Sequence, residues 1–143
     1  MAGFRIIKNI VEAEGEDLKV SSQTVAVGDL LERTAGSVNW AVCTASTDYF
    51  TPKAIADQAV SSSATSVHAV RLNGLELVAV EGSEATSVDD NGDRMALTDK
   101  NTVANTSSDV SGQAVAFVQE GIISSTEIVG HVLVGNGVDP DAA

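Results

Sequence analysis

Few side chains in this 143-residue chain could carry chemistry, and their spacing says what that chemistry would be. Asp29 and Asp93 each follow a glycine in a repeated phrase, Gly28-Asp29 and Gly92-Asp93. Paired with His68 or His131, either acid would make the acid/base couple of a small hydrolase, and the two histidines together would make half of a metal site. The pattern favours neither. Aspartates at matching points of a repeated phrase are far more often equivalent turns than a dyad, and no third metal ligand stands at a suggestive interval. Cys43 is the one cysteine, so it can neither form an internal disulfide nor anchor zinc alone. Its apolar neighbours make it a buried small hydrophobe rather than a thiolate nucleophile. The run Asp89-Asp90-Asn91-Gly92-Asp93-Arg94 has a superficial calcium-loop look, but Ser87 stands where such a loop needs its first acid and Thr98 where it needs its closing Glu. The acidic runs at 12–17 and 81–84 are expected as solvated loops whose charges guard strand edges. No nucleophile elbow, phosphate loop, dinucleotide fingerprint or zinc spacing is present, so the expectation is a protein that is not an enzyme, with no cofactor and no metal.

The elements that would position these residues read as strand after strand. Segments 4–11, 24–33, 37–45, 65–72, 75–80, 93–98, 113–119 and 127–134 are short, rich in Val, Ile and Thr, and bounded by Gly, Ser, Asp or Asn. In 127–134, Ile128, Gly130, Val132 and Val134 share one face, and both faces are partly apolar, as in strands packed between two layers. Asn73-Gly74 and Asn91-Gly92 are expected as type I′ hairpin turns, which need positive φ at both central residues. Only 51–62 could be helical, through Pro52 and several alanines; strand is preferred, leaving at most one short helix near 53–60. Trp40, in mid-strand, is expected as a core or interface anchor.

The chain also reads as two halves with the same order of elements: an apolar strand, Gly-Asp, a strand, a polar loop, Ala54-Ile55-Ala56 or Ala114-Val115-Ala116, a serine-rich turn, and a Val-rich strand ending the half. Gly supplies an unusual φ in such a phrase, and Asp caps local amides. Internal duplication is therefore an expectation. Composition bounds the rest. Apolar residues make up 43% and aromatics 3%, so one globular core must be built from Val, Ala, Leu and Ile. A net charge of −12 repels phosphate backbones and anionic bilayers, which disfavours nucleic acid or membrane as partner. The N-terminus has no signal-peptide pattern, and synthesis in a host cytoplasm is expected.

Taken together, "TVAVGDLLERTAGSVNWAVCTAST", "PKAIADQAV", "GDRMALTD" and "AFVQEGIISSTEIVGHVLVG" resemble the head decoration, or cement, proteins of tailed bacteriophages over residues 18–135. The resemblance implies an all-β fold, a compact β-barrel or β-sandwich of tulip-like form. It also implies a homotrimer on the outer surface of the virion's capsid, bridging neighbouring subunits of the major capsid protein. Residues 1–17 are then an N-terminal arm or first strand, 18–135 the β-domain, and 136–143 a flexible tail. Phe4, Arg5, Ile6, Ile7 and Lys8 are the candidate capsid-binding arm, basic and apolar ahead of the acids that begin at Glu12, with an ordinary first strand as the alternative. The trimer contact is expected on the apolar outer faces of the Val-rich strands. The alternatives are a receptor- or glycan-binding β-domain, which the shortage of aromatics disfavours, and another virion component such as a tail tube or connector.

Overall fold

The computed structural model describes residues 3–8, 14–34, 36–105 and 113–138. Among these it is all-β. The strands are β1 (Arg5–Lys8), β2 (Gly15–Lys19), β3 (Leu30–Arg33), β4 (Trp40–Val42), β5 (Lys53–Ala56), β6 (Ser66–Arg71), β7 (Leu77–Gly82), β8 (Arg94–Met95), β9 (Leu97–Asp99), β10 (Thr102–Val103), β11 (Phe117–Ile122) and β12 (Glu127–Val132), and the sole helical turn among the described residues is a 3-10 turn at Val88–Asp90. The segment weighed as a helix is strand β5, buried along its whole length. Its alanines fit because the wall there has room only for small side chains.

The strands form two sheets, and each curls toward closure. The first has the order β2-β6-β5-β3-β4, and a parallel bridge between Val20 and Trp40 brings its two edges together. Its inner face holds Leu18, Leu31, Trp40, Ala54, Ala56, Val67 and Ala69. Three alanines in that set suit a narrow five-strand barrel whose interior only side chains can fill. The second sheet has the order β8-β11-β12-β7-β10-β9. β8 and β9 are separated by Ala96 alone, so they are one bent strand that pairs with β11 at one end and β10 at the other. β10 in turn runs parallel beside β7. β1 takes the remaining length of β7, antiparallel to it. The interior of this second barrel (Val80, Met95, Val103, Phe117, Ile128) is continuous with the outer face of the first, where Leu30, Cys43, Ile55 and Leu72 are buried. Phe4 seals that joint, edge-on to Phe117. Each such aliphatic or aromatic side chain removed from water contributes about 1.5–3 kcal/mol.

Counting the bent β8–β9 strand once and setting β1 aside, the two sheets have the same path, with β2, β3, β4, β5 and β6 matching β7, β8–β9, β10, β11 and β12. The register agrees as well as the order. In the first, Leu31 faces Ala54 and Ala54 faces Arg71; in the second, Met95 faces Phe117 and Phe117 faces Val132. Four residues back along the last strand, Val67 faces Leu18 and Ile128 faces Val80. Backbone hydrogen bonds outside the ladders recur at matched positions. Gly28 N–H donates to Ala56 C=O (2.8 Å) as Gly92 does to Gln119 (2.7 Å), and Ala56 N–H donates to Asp29 C=O (2.9 Å) as Gln119 does to Asp93 (3.2 Å). Leu72 to Lys53 corresponds to Leu133 to Ala116, and Val20 to Thr65 corresponds to Gly82 to Thr126. The repeated Gly-Asp phrase is thus the visible trace of an internal duplication. Ala54-Ile55-Ala56, however, matches Phe117-Val118-Gln119, not Ala114-Val115-Ala116.

Two turn assignments are corrected. Asn73-Gly74 does not close a hairpin, because β6 belongs to the first sheet and β7 to the second; it is the crossing between barrels. Asn91-Gly92 lies after the 3-10 turn, with Asn91 at φ −60° and ψ 129° and Gly92 at φ +90°. Asp93 N–H closes it onto Asp90 C=O at 3.0 Å, so it is a type II turn with one positive φ, not type I′. Of the acidic run at 12–17, Gly15–Asp17 are not loop but exposed strand in β2, and Glu12 lies outside the described residues. β2 therefore runs across the expected 17/18 boundary.

Candidate functional site

The Gly-Asp turns come first, since they repeat. Ala26–Asp29 is closed by Asp29 N–H to Ala26 C=O (3.1 Å), with Gly28 at φ +93°. The Asp29 carboxylate is 1% exposed, accepts Ala26 N–H at 2.9 Å and meets Lys100 Nζ at 3.1 Å. Lys100 belongs to the turn between β9 and β10, so this ion pair ties the first barrel to the second. Asp93, at the matched turn, is half-buried. The two aspartates are equivalent turn residues in different barrels, one of them made into an inter-barrel tie.

The histidines lie on β6 and β12, strands of different sheets, and do not correspond: the matches of His68 and His131 are Val129 and Val70. His68 Nδ1 contacts the Asp57 carboxylate, and that contact raises its pKa above the ordinary histidine value. His131 Nδ1 donates to Glu76 C=O at 2.9 Å, and its Nε2 is 3.5 Å from Glu120. Among the described residues no three His, Cys, Asp or Glu side chains are grouped so as to hold a metal ion.

The densest polar cluster was not anticipated. It surrounds Lys53, which is fully buried in β5. Its ammonium donates to three carbonyls: Asp48 (2.8 Å), Thr51 (3.0 Å) and Leu133 (2.9 Å). Desolvation lowers its pKa to about 8, against the opposing pull of the Glu32 and Asp48 carboxylates. Cross-strand from it, the Glu32 carboxylate accepts the Thr47 and Thr51 hydroxyls at 2.6 and 3.1 Å. Cys43 is 2% exposed, and burial first, then Glu32, pushes its thiol well above the usual range, which makes it a poor nucleophile. The Lys53, Glu32, Thr47 and Thr51 heads are each committed to a structural partner. The ammonium clips the 48–51 loop to the end of β12, and Gly135 and Gly137 N–H extend the same seam to Thr51 and Phe50 C=O. Above the cluster an open cavity of about 410 Å³ is lined by Glu32, Thr44, Ser46, Asp48 and Phe50. Sequence reading missed Lys53 because a lysine in Lys-Ala-Ile-Ala looks solvent-facing.

The candidate binding residues fall as follows. Phe4 is buried in the joint, Ile6 packs against it, and Arg5 pairs with Glu127. Arg5–Lys8 is thus a strand of the protein's own second sheet, the first-strand alternative; residues 9–11 lie outside the described set. Ile7 is 46% exposed and Lys8 exposed. Trp40 is 3% exposed inside the first barrel, with the Arg71 guanidinium 5.3 Å over its ring. The outer face of the first barrel is spent on the second, while the corresponding row of the second barrel, Arg94, Val118 and His131, points outward. Of the tail, Asn136–Val138 follow the 48–51 loop and 139–143 lie outside the described residues. No family model matches the chain, and no curated protein or solved structure is significantly similar to it.

Proposed function

We propose that this chain is a structural virion protein that binds the outer surface of a phage capsid and bridges neighbouring major capsid protein subunits, assembled as a homotrimer. The observation that carries the reading is the sequence resemblance to phage decoration proteins, whose implied compact β architecture is the kind of fold found here. The physical logic is consistent with it. A protein that binds an assembled lattice and not its free subunits raises the free energy of disassembly by mass action, and many modest contacts add up to a large barrier. A strongly acidic exterior keeps such an abundant protein soluble and off the packaged nucleic acid. The barrels suit a load-bearing clamp: curled sheets leave little open edge, and an ion pair and a buried lysine tie the segments together. The test is addition of purified protein to undecorated, expanded capsids. Co-sedimentation in fixed stoichiometry and a raised disassembly temperature support the reading. Capsids that neither retain the protein nor gain stability refute it.

A further inference from the structure

The second barrel carries an apolar recess at the start of β7. Leu75 and Leu77 wall a cavity of about 230 Å³, with Lys8 and His131 at its rim. Leu75 is 55% exposed, and its position is enforced. The Glu76 carboxylate accepts the Asn73 and Gly74 N–H groups (2.9 and 3.0 Å), and Asn73 Oδ1 accepts Leu75 N–H (2.8 Å). Three hydrogen bonds thus hold a leucine in solvent. His131 is fixed through its Nδ1 bond to Glu76 C=O.

Beside β11 stands a matching projection. Val88, 58% exposed, heads the 3-10 turn Val88–Asp90 and is followed by Asp89 and Asp90. The turn is rigidly presented: Ser87 Oγ accepts Asp89 N–H at 3.2 Å, and buried Gln119 donates from Nε2 to Ser87 C=O (2.8 Å) and Asn91 Oδ1 (2.9 Å). Thr86 N–H binds Ser125 C=O, fixing the segment to the β11–β12 hairpin. The turn thus sits on β11 and its hairpin, whereas the recess lies at the start of β7 beside Lys8 of β1, so projection and recess are different surfaces.

We propose that this recess is the docking site for the Val88 turn of a second copy, with Asp89 or Asp90 set against Lys8. The cavity accommodates an isopropyl group. The charges are complementary: a cation beside an apolar recess is scarce in a chain with 8 Lys and Arg against 20 Asp and Glu, and the projection carries two carboxylates. Of the acids near the recess, Glu76 is occupied by backbone amides and Glu120 lies on the far side of His131. Because projection and recess are different surfaces of the molecule, the contact is head-to-tail, the kind that closes rings.

This deepens the copy-to-copy part of the proposed assembly, but its test uses the purified protein without capsids, so failure of either is read separately. Sedimentation velocity over a concentration series should show self-association. K8E and the double change D89K/D90K should each weaken it at least tenfold with unchanged circular dichroism. The triple variant K8E/D89K/D90K, which swaps the charges, should restore it. A wild-type protein that stays monomeric at every concentration overturns the proposal, as does association that the single-side reversals leave intact or that the folded triple variant fails to recover.

Discussion

At the scale of single residues, Lys53 gives the sharpest expectation. Its ammonium has a folded pKa of about 8 against an ordinary value of 10.5. Below pH 8 it is protonated in both folded and unfolded chains. Above pH 8 the unfolded chain keeps a proton that the folded chain has released, so this group makes stability rise with pH. Cys43 acts oppositely: its raised folded pKa means that above its ordinary 9.0 only the unfolded chain loses the proton, and stability falls. Between pH 8 and 9 the lysine dominates while ionisation of the unfolded cysteine begins to oppose it, and unfolding free energy should rise by roughly 0.5–1 kcal/mol, the linkage limit being ~1.4 kcal/mol per pH unit. Denaturant titrations at pH 7, 8 and 9 check this. K53M should lose that rise and be less stable at pH 7 by roughly 1–3 kcal/mol, since three carbonyls, one buried and two partly buried, lose their donor. An identical pH profile in K53M would show that the lysine does not titrate there. Nothing in the sequence around Lys53 announces this role, because one of its three acceptors, Leu133, lies 80 positions away. Cys43, by contrast, was legible as core, because its immediate neighbours are apolar; Trp40 was legible only as core or interface anchor, and its burial inside the first barrel makes it core rather than an interface anchor.

At the scale of elements, the two Gly-Asp turns are a matched pair in different surroundings. Both glycines have φ near +90°, which costs an L-residue about 1–2 kcal/mol. A Cβ on Gly92 would meet nothing within 4 Å, whereas one on Gly28 would lie 3.2 Å from Gly3 Cα. G92A should therefore cost about 1–2 kcal/mol and G28A more, because the Phe4 strand must also shift at the joint between barrels. Chemical denaturation of both variants measures it, and equal costs would mean that the N-terminal segment gives way freely. Strand existence was readable from alternating Val, Ile and Thr, as in β12, and the repeat was readable from the glycines. Pairing was not. Asn-Gly signals a reversal, but whether it joins two neighbours or crosses between sheets depends on which sheet the next strand enters, and that is decided by contacts such as β7 with β12 rather than by the turn. The same blindness placed the repeat's alanines three residues out of register.

At the scale of the whole molecule, the account is of two matched barrels, locked through a shared core, whose work is done by surfaces. A repeated fold of this kind gives one chain two curled sheets with little open edge, which suits the proposed clamp between repeating subunits. Acidity and fold class were legible from composition and pattern; the outward row Arg94, Val118 and His131 was not, because two of its counterparts in the first barrel, Leu30 and Ile55, are buried against the second, and only the tertiary arrangement distinguishes them. The most direct measurement is a difference reconstruction by electron cryomicroscopy of capsids prepared with and without the protein. The account predicts added density on the outside of the shell, at contacts between neighbouring capsid subunits, of a size that holds the two barrels. Particles without such density, or density confined to the tail or connector, would contradict it.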